Sequence, residues 1–436
     1  MPAKSNEERE FSEIKRSFQE RFGEPQPGDK RGVFGIEARA EQQARELKRK
    51  LIKEEIESSG RGYEGNTRVC PKCGRPTQRY KGDRERTLRF ECGDFRIARA
   101  YYVCGKCNET SYPLDDQLGL VEGKEQGRLR EKLSLLGVLT PYHQAPQVSR
   151  IFFDTECHAN ALRRVVLREA ENLEESKVEA TMLEVTEHDT VYLEIDGHMC
   201  PTREERREDN DHGYREAKIA MAFCDREIAE VSKDRKELLR PILQGQIAPA
   251  EDFIDDIQEV YQRANAARAK RVVAIADGAK WIWNVVEEVA PEAIQILDYA
   301  HAKSHLYDAA KIIYGASSHL VKPWVKKQQD LLFANEVEQV MRNMQEHSER
   351  KPEVDEIVTY FENNHQRMRY GQYQGQGLLI GSGAIESAGK RISQGRIKGC
   401  GMRWNIPDLN KLIALRCAFF DGSWGKYWTQ QYKIAA

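Results

Sequence analysis

The sequence has no long apolar run. Nothing in its 436 residues approaches the roughly 18 consecutive apolar residues of a membrane-spanning helix. The opening MPAKSNEERE lacks the basic-then-apolar pattern of a secretory signal. A cytoplasmic protein with no membrane partner is therefore expected. The chain also lacks the cysteine density of a secreted disulfide scaffold, because its ten cysteines would serve that end only in a much shorter protein. Little net charge remains, −2 at pH 7. What is present is a surface-rich composition, 40% hydrophobic and 32% charged. The length allows about two to four domains with a sizeable core.

The near-zero balance conceals an uneven distribution. Residues 1–60 carry 13 basic and 13 acidic side chains, residues 61–107 carry 12 and 5, and residues 387–436 carry 9 and 2. Two segments are thus +7 each, and residues 108–386 are left at −16. Basic ends around an acidic middle suit a polyanion held by the ends and cations held between them. Ordinary charge heterogeneity is the plainer reading.

Residues 1–60 read as a charged helical arm, broken by the linker GEPQPGDKRG, with self-association as its possible use. Residues 61–115 follow as a zinc ribbon. Cys70 and Cys73 form one CxxC pair and Cys104 and Cys107 a second, a spacing that lets four thiolates take one tetrahedral Zn²⁺. Alternation between the pairs predicts strands over Thr87–Glu91 and Phe95–Val103, with Cys92 a spare residue in the turn. Arg68, Arg75, Arg79, Lys81, Arg84, Arg86, Arg89, Arg96 and Arg99, interleaved with Tyr80, Phe90, Tyr101 and Tyr102, read as a phosphate-binding surface. Residues 120–180 are helical. A helix-turn-helix carrying Arg163, Arg164 and Arg168, or a plain helical hairpin, would both fit.

From residue 187 the pattern turns to strands. VYLEIDGH is an apolar strand that delivers Asp196 at its end, and RVVAIADG does the same with Asp277. Three strands (DTVYLEIDGHM, EAKIAMAFCD, REIAEVSK), a helix over 250–270, a strand, a helix and a strand ending at Asp298 follow one another. That order describes an α/β, RNase H-like mixed sheet over 187–301, with the first and fourth strands adjacent. Residues 302–378 read as an α-helical insertion, and 379–436 as a helix carrying Glu386 followed by a basic region.

Two aspartates at strand ends and one glutamate on a helix suit two Mg²⁺ or Mn²⁺ ions, since such ions take a few carboxylates plus water and phosphate oxygens. Each acid has a duller explanation. Asp before Gly is common in turns, and Glu386 with Lys390 is an i, i+4 helix pair. His301 would face a scissile phosphate, order Asp298, or sit in the core; His198 and His305 read as structural. Trp281 and Trp283 read as core, whereas Trp404 could stack on a displaced base. Lys390, Arg391, Arg396, Lys398 and Arg403 form a basic run suited to the DNA backbone or to a solvated face.

The segments IDGH, IADGAKWIW, GLLIGSGAIESAGK and GRIKGCGMRW together resemble the DDE transposases of bacterial insertion sequences, and more narrowly the ISKra-type family related to the Mutator-like group. The upstream CPKCG…CGKC element resembles that family's usual arrangement, so the likeness covers residues 65–425. It implies that Asp196, Asp277 and Glu386 are a catalytic triad and that the fold is RNase H-like with an insertion before the glutamate. His301, in DYAH, matches a D-x-x-H signature of related families. Cys400 departs from the pattern.

The resemblance implies a Mg²⁺-dependent transposase that cuts and joins double-stranded DNA at element ends and targets. It would act as a homo-oligomer in a bacterial cytoplasm, at the nucleoid. Two other expectations stay open: a structure-specific nuclease on the same fold that cuts without joining, and a catalytically silent DNA-binding protein derived from a transposase.

Overall fold

The computed structural model describes residues 16, 32–153, 156–176, 181–204, 213–232 and 235–434. Most of the first expected arm helix and all of the linker but Gly32 lie outside them. The chain is mixed α/β and divides into two compact units, residues 1–133 with 147–157, and residues 134–146 with 158–434. Among the described residues no helix is long and apolar enough to cross a membrane.

The first unit carries the helix Val33–Ser58, which buries none of its side chains. It also carries a four-stranded antiparallel sheet in the order β1 (Thr67–Arg68), β2 (Gln78–Phe90), β3 (Gly93–Cys104), β4 (Thr110–Ser111). β2 starts well before the expected Thr87. The register slips between Tyr80 and Asp83, around Gly82 at φ 91°, and this bulge breaks the two-residue alternation on which the expectation rested. Phe90 pairs with Gly93, so Glu91 and Cys92 form the tight turn.

The second unit is built on a five-stranded sheet in the order β11 (Ile294–Leu297), β10 (Arg271–Ala276), β5 (Thr190–Pro201), β6 (Tyr214–Cys224), β9 (Ile242–Gln246). β6 runs antiparallel to its neighbours β5 and β9, while β10 and β11 run parallel to β5. One expected strand is displaced. REIAEVSK does not join the sheet; its β7 (Ile228–Ser232) pairs with β8 (Arg235–Leu238) as a separate hairpin. The edge position goes to β9, which buries Ile242, Leu243 and Gly245, whereas β7 leaves Glu230, Val231 and Ser232 exposed. Burial decided between two segments of similar strand character.

Helix Ile254–Arg263 packs on β6 and β9, and helix Lys280–Val289, which follows β10 in the chain, packs on that helix. After β11 come helices Tyr299–Tyr314, Val321–Phe333, Val337–Gln345, Val354–Asn364 and Tyr370–Gly375. The chain then returns to the sheet as the helix Gly383–Gly389, a π-helical turn Lys390–Gln394, and the helices Ile406–Phe420 and Ser423–Ile434. One apolar core joins the strands, including Leu193, Ile195, Ile219, Val273 and Ile275, to Ile385, Leu409 and Ile413 of the returning chain. That core fixes where the Glu386 helix sits.

Candidate functional site

Three parallel strands bring acids to one level: β10 and β11 end there, whereas β5, expected to end at Asp196, runs on to Pro201 because β6 pairs with it along that whole length. Ile275 of β10 lies opposite Glu194 of β5, and Ala276 opposite Leu297 of β11. Both registers, carried onward, set Asp277 level with Asp196 on one side and Asp298 on the other. The Asp298 amide donates to the Ala276 carbonyl at 2.8 Å, which ties the outer two strands at this level.

Asp277 opens a turn. Its Oδ1 accepts from the Ala279 amide at 3.0 Å, and Gly278 takes a φ of 97°. A Cβ on Gly278 would lie 2.9 Å from Leu297 Cδ1, so glycine answers both the backbone and the space. The turn reading and the functional reading of this Asp-Gly pair therefore coexist, because the turn engages only one carboxylate oxygen.

Asp196 is half-buried. Its Oδ1 accepts from the Gly197 amide at 2.7 Å, and its Oδ2 lies 3.4 Å from His198 Nε2. Burial pushes this carboxyl above the usual range, outweighing His198 and the Gly197 amide, and the charge of Asp277 pushes the same way. Among the described residues no lysine or arginine pairs with Asp196 or Asp277. The cationic groups that act on Asp196 are histidines: His198 lies against it, and the charge of His301 reaches it.

Asp298 differs. It is buried and caps the helix Tyr299–Tyr314 by accepting from the Ala300 amide at 2.8 Å. Its Oδ2 accepts from Ser382 Oγ at 2.7 Å and lies 2.8 Å from His301 Nδ1. Burial opposes its charge, but His301, Ser382 and the Ala300 amide together hold the carboxyl below the usual range. His301 is half-exposed at the edge of the site. The Asp298 hydrogen bond raises its pKa first, and the charges of Asp277 and Asp196 add to the shift.

Glu386 lies in the first turn of the Gly383–Gly389 helix, with its carboxylate 60% exposed and 2.6 Å from Lys390 Nζ. The expected helix pair is thus present. β5 fastens the surrounding chain through alternate residues of one face. The Leu379 amide donates to Tyr192 Oη at 3.2 Å, and the Ile385 amide donates to Glu194 Oε2 at 2.7 Å. His198 packs so closely on Gly389 that a Cβ there would fall 1.6 Å from Nε2. Asp196 is the remaining member of that face, between Glu194 and His198. Burial lowers the His198 pKa, while Asp196 and the nearby charge of Glu386 work against that. Glu194 is fully buried and pushed up to about 8 by burial, and its Oε1 has no hydrogen-bond partner.

The three carboxylates of the expected triad do not close on one another. Among the described residues, groups of metal-ligating side chains whose ligand atoms lie within 4.8 Å of one another are Cys70–Cys73–Cys104–Cys107 and Asp189–Cys224–Asp225. The second group is spent on local bonds. Asp189 holds Thr186 and Arg226, and Asp225 accepts from the Thr190 amide.

The cysteine group is built from two matching loops. The Gly74 amide donates to the Cys70 carbonyl at 2.9 Å, and the Asn108 amide to the Cys104 carbonyl at 3.0 Å. Each loop turns on a residue of positive φ, 67° at Gly74 and 56° at Asn108. Cys70 and Cys107 sulfurs lie 3.6 Å apart, and those of Cys73 and Cys104 3.8 Å. Thr77 Oγ1, 3.0 Å from Cys104 Sγ, is the main influence lowering that thiol to about 6. Cys92 lies outside this group, buried in the hairpin turn.

The family described as Uncharacterised protein family (UPF0236) matches residues 34–431, from the arm helix to the last helix. The chain belongs to that family. No curated protein matches it. The UPF0236 match takes in both cysteine loops and every acid of the strand-end row.

Two of the residues expected to touch DNA are interior. Arg396 is 1% exposed; its Nε donates to the Gly137 carbonyl, and its guanidinium lies over the rings of Tyr142 and Trp404. Trp404 is buried, donates from Nε1 to the Ile397 carbonyl and meets Tyr142 edge-on, so it offers no face to a base. Lys390, Arg391, Lys398 and Arg403 are exposed. In the first unit Arg86 and Arg99 turn onto Asp115, and Arg89 pairs with Asp94, while Arg75, Arg79, Lys81, Arg84 and Arg96 remain exposed. Arg163 is held by Asp408.

Sequence reasoning missed Glu194 and Arg416. Arg416 is buried and donates to the carbonyls of Val138, Arg391 and Ile392, steadying the π turn. The signal in each case is a charged residue inside an otherwise apolar run, VYLEID and LIALRCAFF.

Proposed function

We propose that the protein is a metal-dependent polynucleotidyl transferase, a DNA transposase of the DDE class on an RNase H-like core. One observation carries the reading: Asp196 and Asp277 stand level on adjacent parallel strands and have no lysine or arginine partner among the described residues. The strand order β11-β10-β5-β6-β9, with β6 antiparallel to β5 and β9, and β10 and β11 parallel to β5, supports the RNase H-like assignment.

The donor set fits Mg²⁺ or Mn²⁺, since carboxylate oxygens suit hard cations and neighbouring like charges favour one. Asp196, Asp277 and Glu386 would hold such ions. When bound, these would sharpen an attacking oxygen and stabilise a leaving one in phosphodiester cleavage. The chain's own contribution is placement. Ser382 and Asp298 hold His301 at the edge of the site, where its raised pKa favours the cationic form that suits a phosphate oxygen. The exposed Lys390, Arg391, Lys398 and Arg403 would meet the DNA backbone.

In the first unit the two sulfur spacings lie close to about 3.8 Å, the edge of a tetrahedron with Zn–S bonds of ~2.3 Å. Cys70, Cys73, Cys104 and Cys107 would hold one Zn²⁺. The test of the functional reading is strand nicking of labelled duplex DNA that carries the gene's own flanks. Cleavage that requires Mg²⁺ or Mn²⁺ and is lost in Asp277→Asn is expected. Cleavage that survives both a chelator and that substitution would overturn the reading.

A further inference from the structure

The Gly383–Gly389 helix buries Ile385, Ala388 and Gly389 and leaves Gly383, Glu386 and Ser387 exposed. One face is open: Glu386 is 60% and Lys390 56% exposed. Another face, formed by Gly383, Ala384, Ser387 and Ala388, lines a cavity of about 680 Å³ together with residues of β6, β9 and the β7–β8 hairpin. Only Ile385 anchors its apolar side fully in the core. The helix runs on without a break into the π turn Lys390–Gln394 and Gly395–Ile397, so its weak point is its start rather than its length. The helix start is glycine-rich (GSGA), and the N-cap residue Ser382 sends its hydroxyl to Asp298 rather than to the helix's own amides. Those first amides need an acceptor.

Glu194 supplies one. Its Oε2 takes the Ile385 amide at 2.7 Å, from a side chain that is 0% exposed and two residues before Asp196 on the same strand face. We infer that Glu194 is a positioning residue for Glu386: its carboxyl caps the helix start and sets the place of Glu386 relative to Asp196. One residue of β5 thereby ties the acid on the returning helix to the acid on the strand. The inference rests on the reading of Glu386 as a metal ligand only for its consequence, not for the contact itself.

The test compares the full chain with E194Q, which keeps an oxygen acceptor of nearly the same reach, and E194M, which keeps the length and loses the acceptor. Amide hydrogen exchange is read over 382–389, and the Mg²⁺ concentration for half-maximal cleavage is read beside the maximal rate. E194M is expected to exchange at least 10-fold faster in that segment alone and to need about 10–100-fold more Mg²⁺, the usual scale for loss of an outer support to a metal ligand. E194Q is expected to match the parent in both. Unchanged exchange in E194M, or an E194Q as defective as E194M, would overturn the inference. Should E194M fail to fold, Glu194→Asp, one methylene short of the Ile385 amide, takes its place with the same two readouts. If the parent protein cleaves no DNA at any Mg²⁺ concentration, the functional reading fails, and the exchange result still decides the role of Glu194.

Discussion

At the scale of single residues, the site is a set of acids in unequal circumstances. Asp298 is saturated by Ser382, His301 and the Ala300 amide, whereas Asp196 and Asp277 keep charge in reserve. Asp277→Asn should therefore weaken Mn²⁺ binding by at least about 10–100-fold, the scale seen when even an outer support is lost, with calorimetry as the check. The Asp298–His301 pair makes a pH prediction. His301 is raised above 6.5, so its contribution to stability is complete below that value and fades as pH rises through the folded-state pKa. Asp298 is held below 3.8, so its contribution is complete above that value and fades only in stronger acid. The pair thus stabilises most between these limits. His301→Ala should melt below the parent at pH 6, and the gap should close as pH rises through the raised His301 pKa. A gap that widens with pH would contradict the pairing. Gly389 is a third case: Gly389→Ala drives a methyl into His198 and should cost ~1–3 kcal/mol by denaturant unfolding. His198→Ala should remove most of that cost, because the two residues share one space.

At the scale of elements, the strands that carry the acids were plain in the sequence, because an apolar run reaching Asp-Gly is a local signal. The cysteine loops were plain for the same reason. The end of β5 was not, since pairing with β6 carries it past Asp196 to Pro201. What could not be read locally was decided by distant partners. β9 displaced REIAEVSK from the sheet because it meets Lys218–Ala222 with buried residues, which no window around either segment reveals. Arg396 looks like any member of a basic run until Gly137, Tyr142 and Trp404 close around it. The direction of Glu386 is likewise set by a partner, Lys390 on its own helix. The first unit's fold makes its own prediction. Its small apolar cluster of Leu88, Ile97 and Leu114 is slight support for a long hairpin. Elemental analysis should find one zinc per chain, absent in Cys104→Ser, and a strong chelator should unfold this hairpin while the five-stranded sheet persists. Retention of the hairpin's exchange protection without metal would contradict it.

At the scale of the whole molecule, the charge distribution gains a structural address. The acidic middle contains the strand-end acids, and the basic surplus of residues 61–107 rests on the exposed Arg75, Arg79, Lys81, Arg84 and Arg96. Duplex DNA binding should weaken steeply with salt. Replacing Arg79 and Arg84 by Gln should lower the log–log slope by up to about 2, since each phosphate contact contributes roughly 0.9. Arg86→Gln should cost stability instead, because that side chain is committed to Asp115. The most direct test of the central claim follows strand joining: purified protein, Mg²⁺, DNA ends from the gene's own flanks, and a target plasmid, with Asp196→Asn alongside. The account predicts covalently joined products that vanish in the variant. Joining that persists in Asp196→Asn would contradict it, and cleavage without any joining would leave a nuclease rather than a transposase.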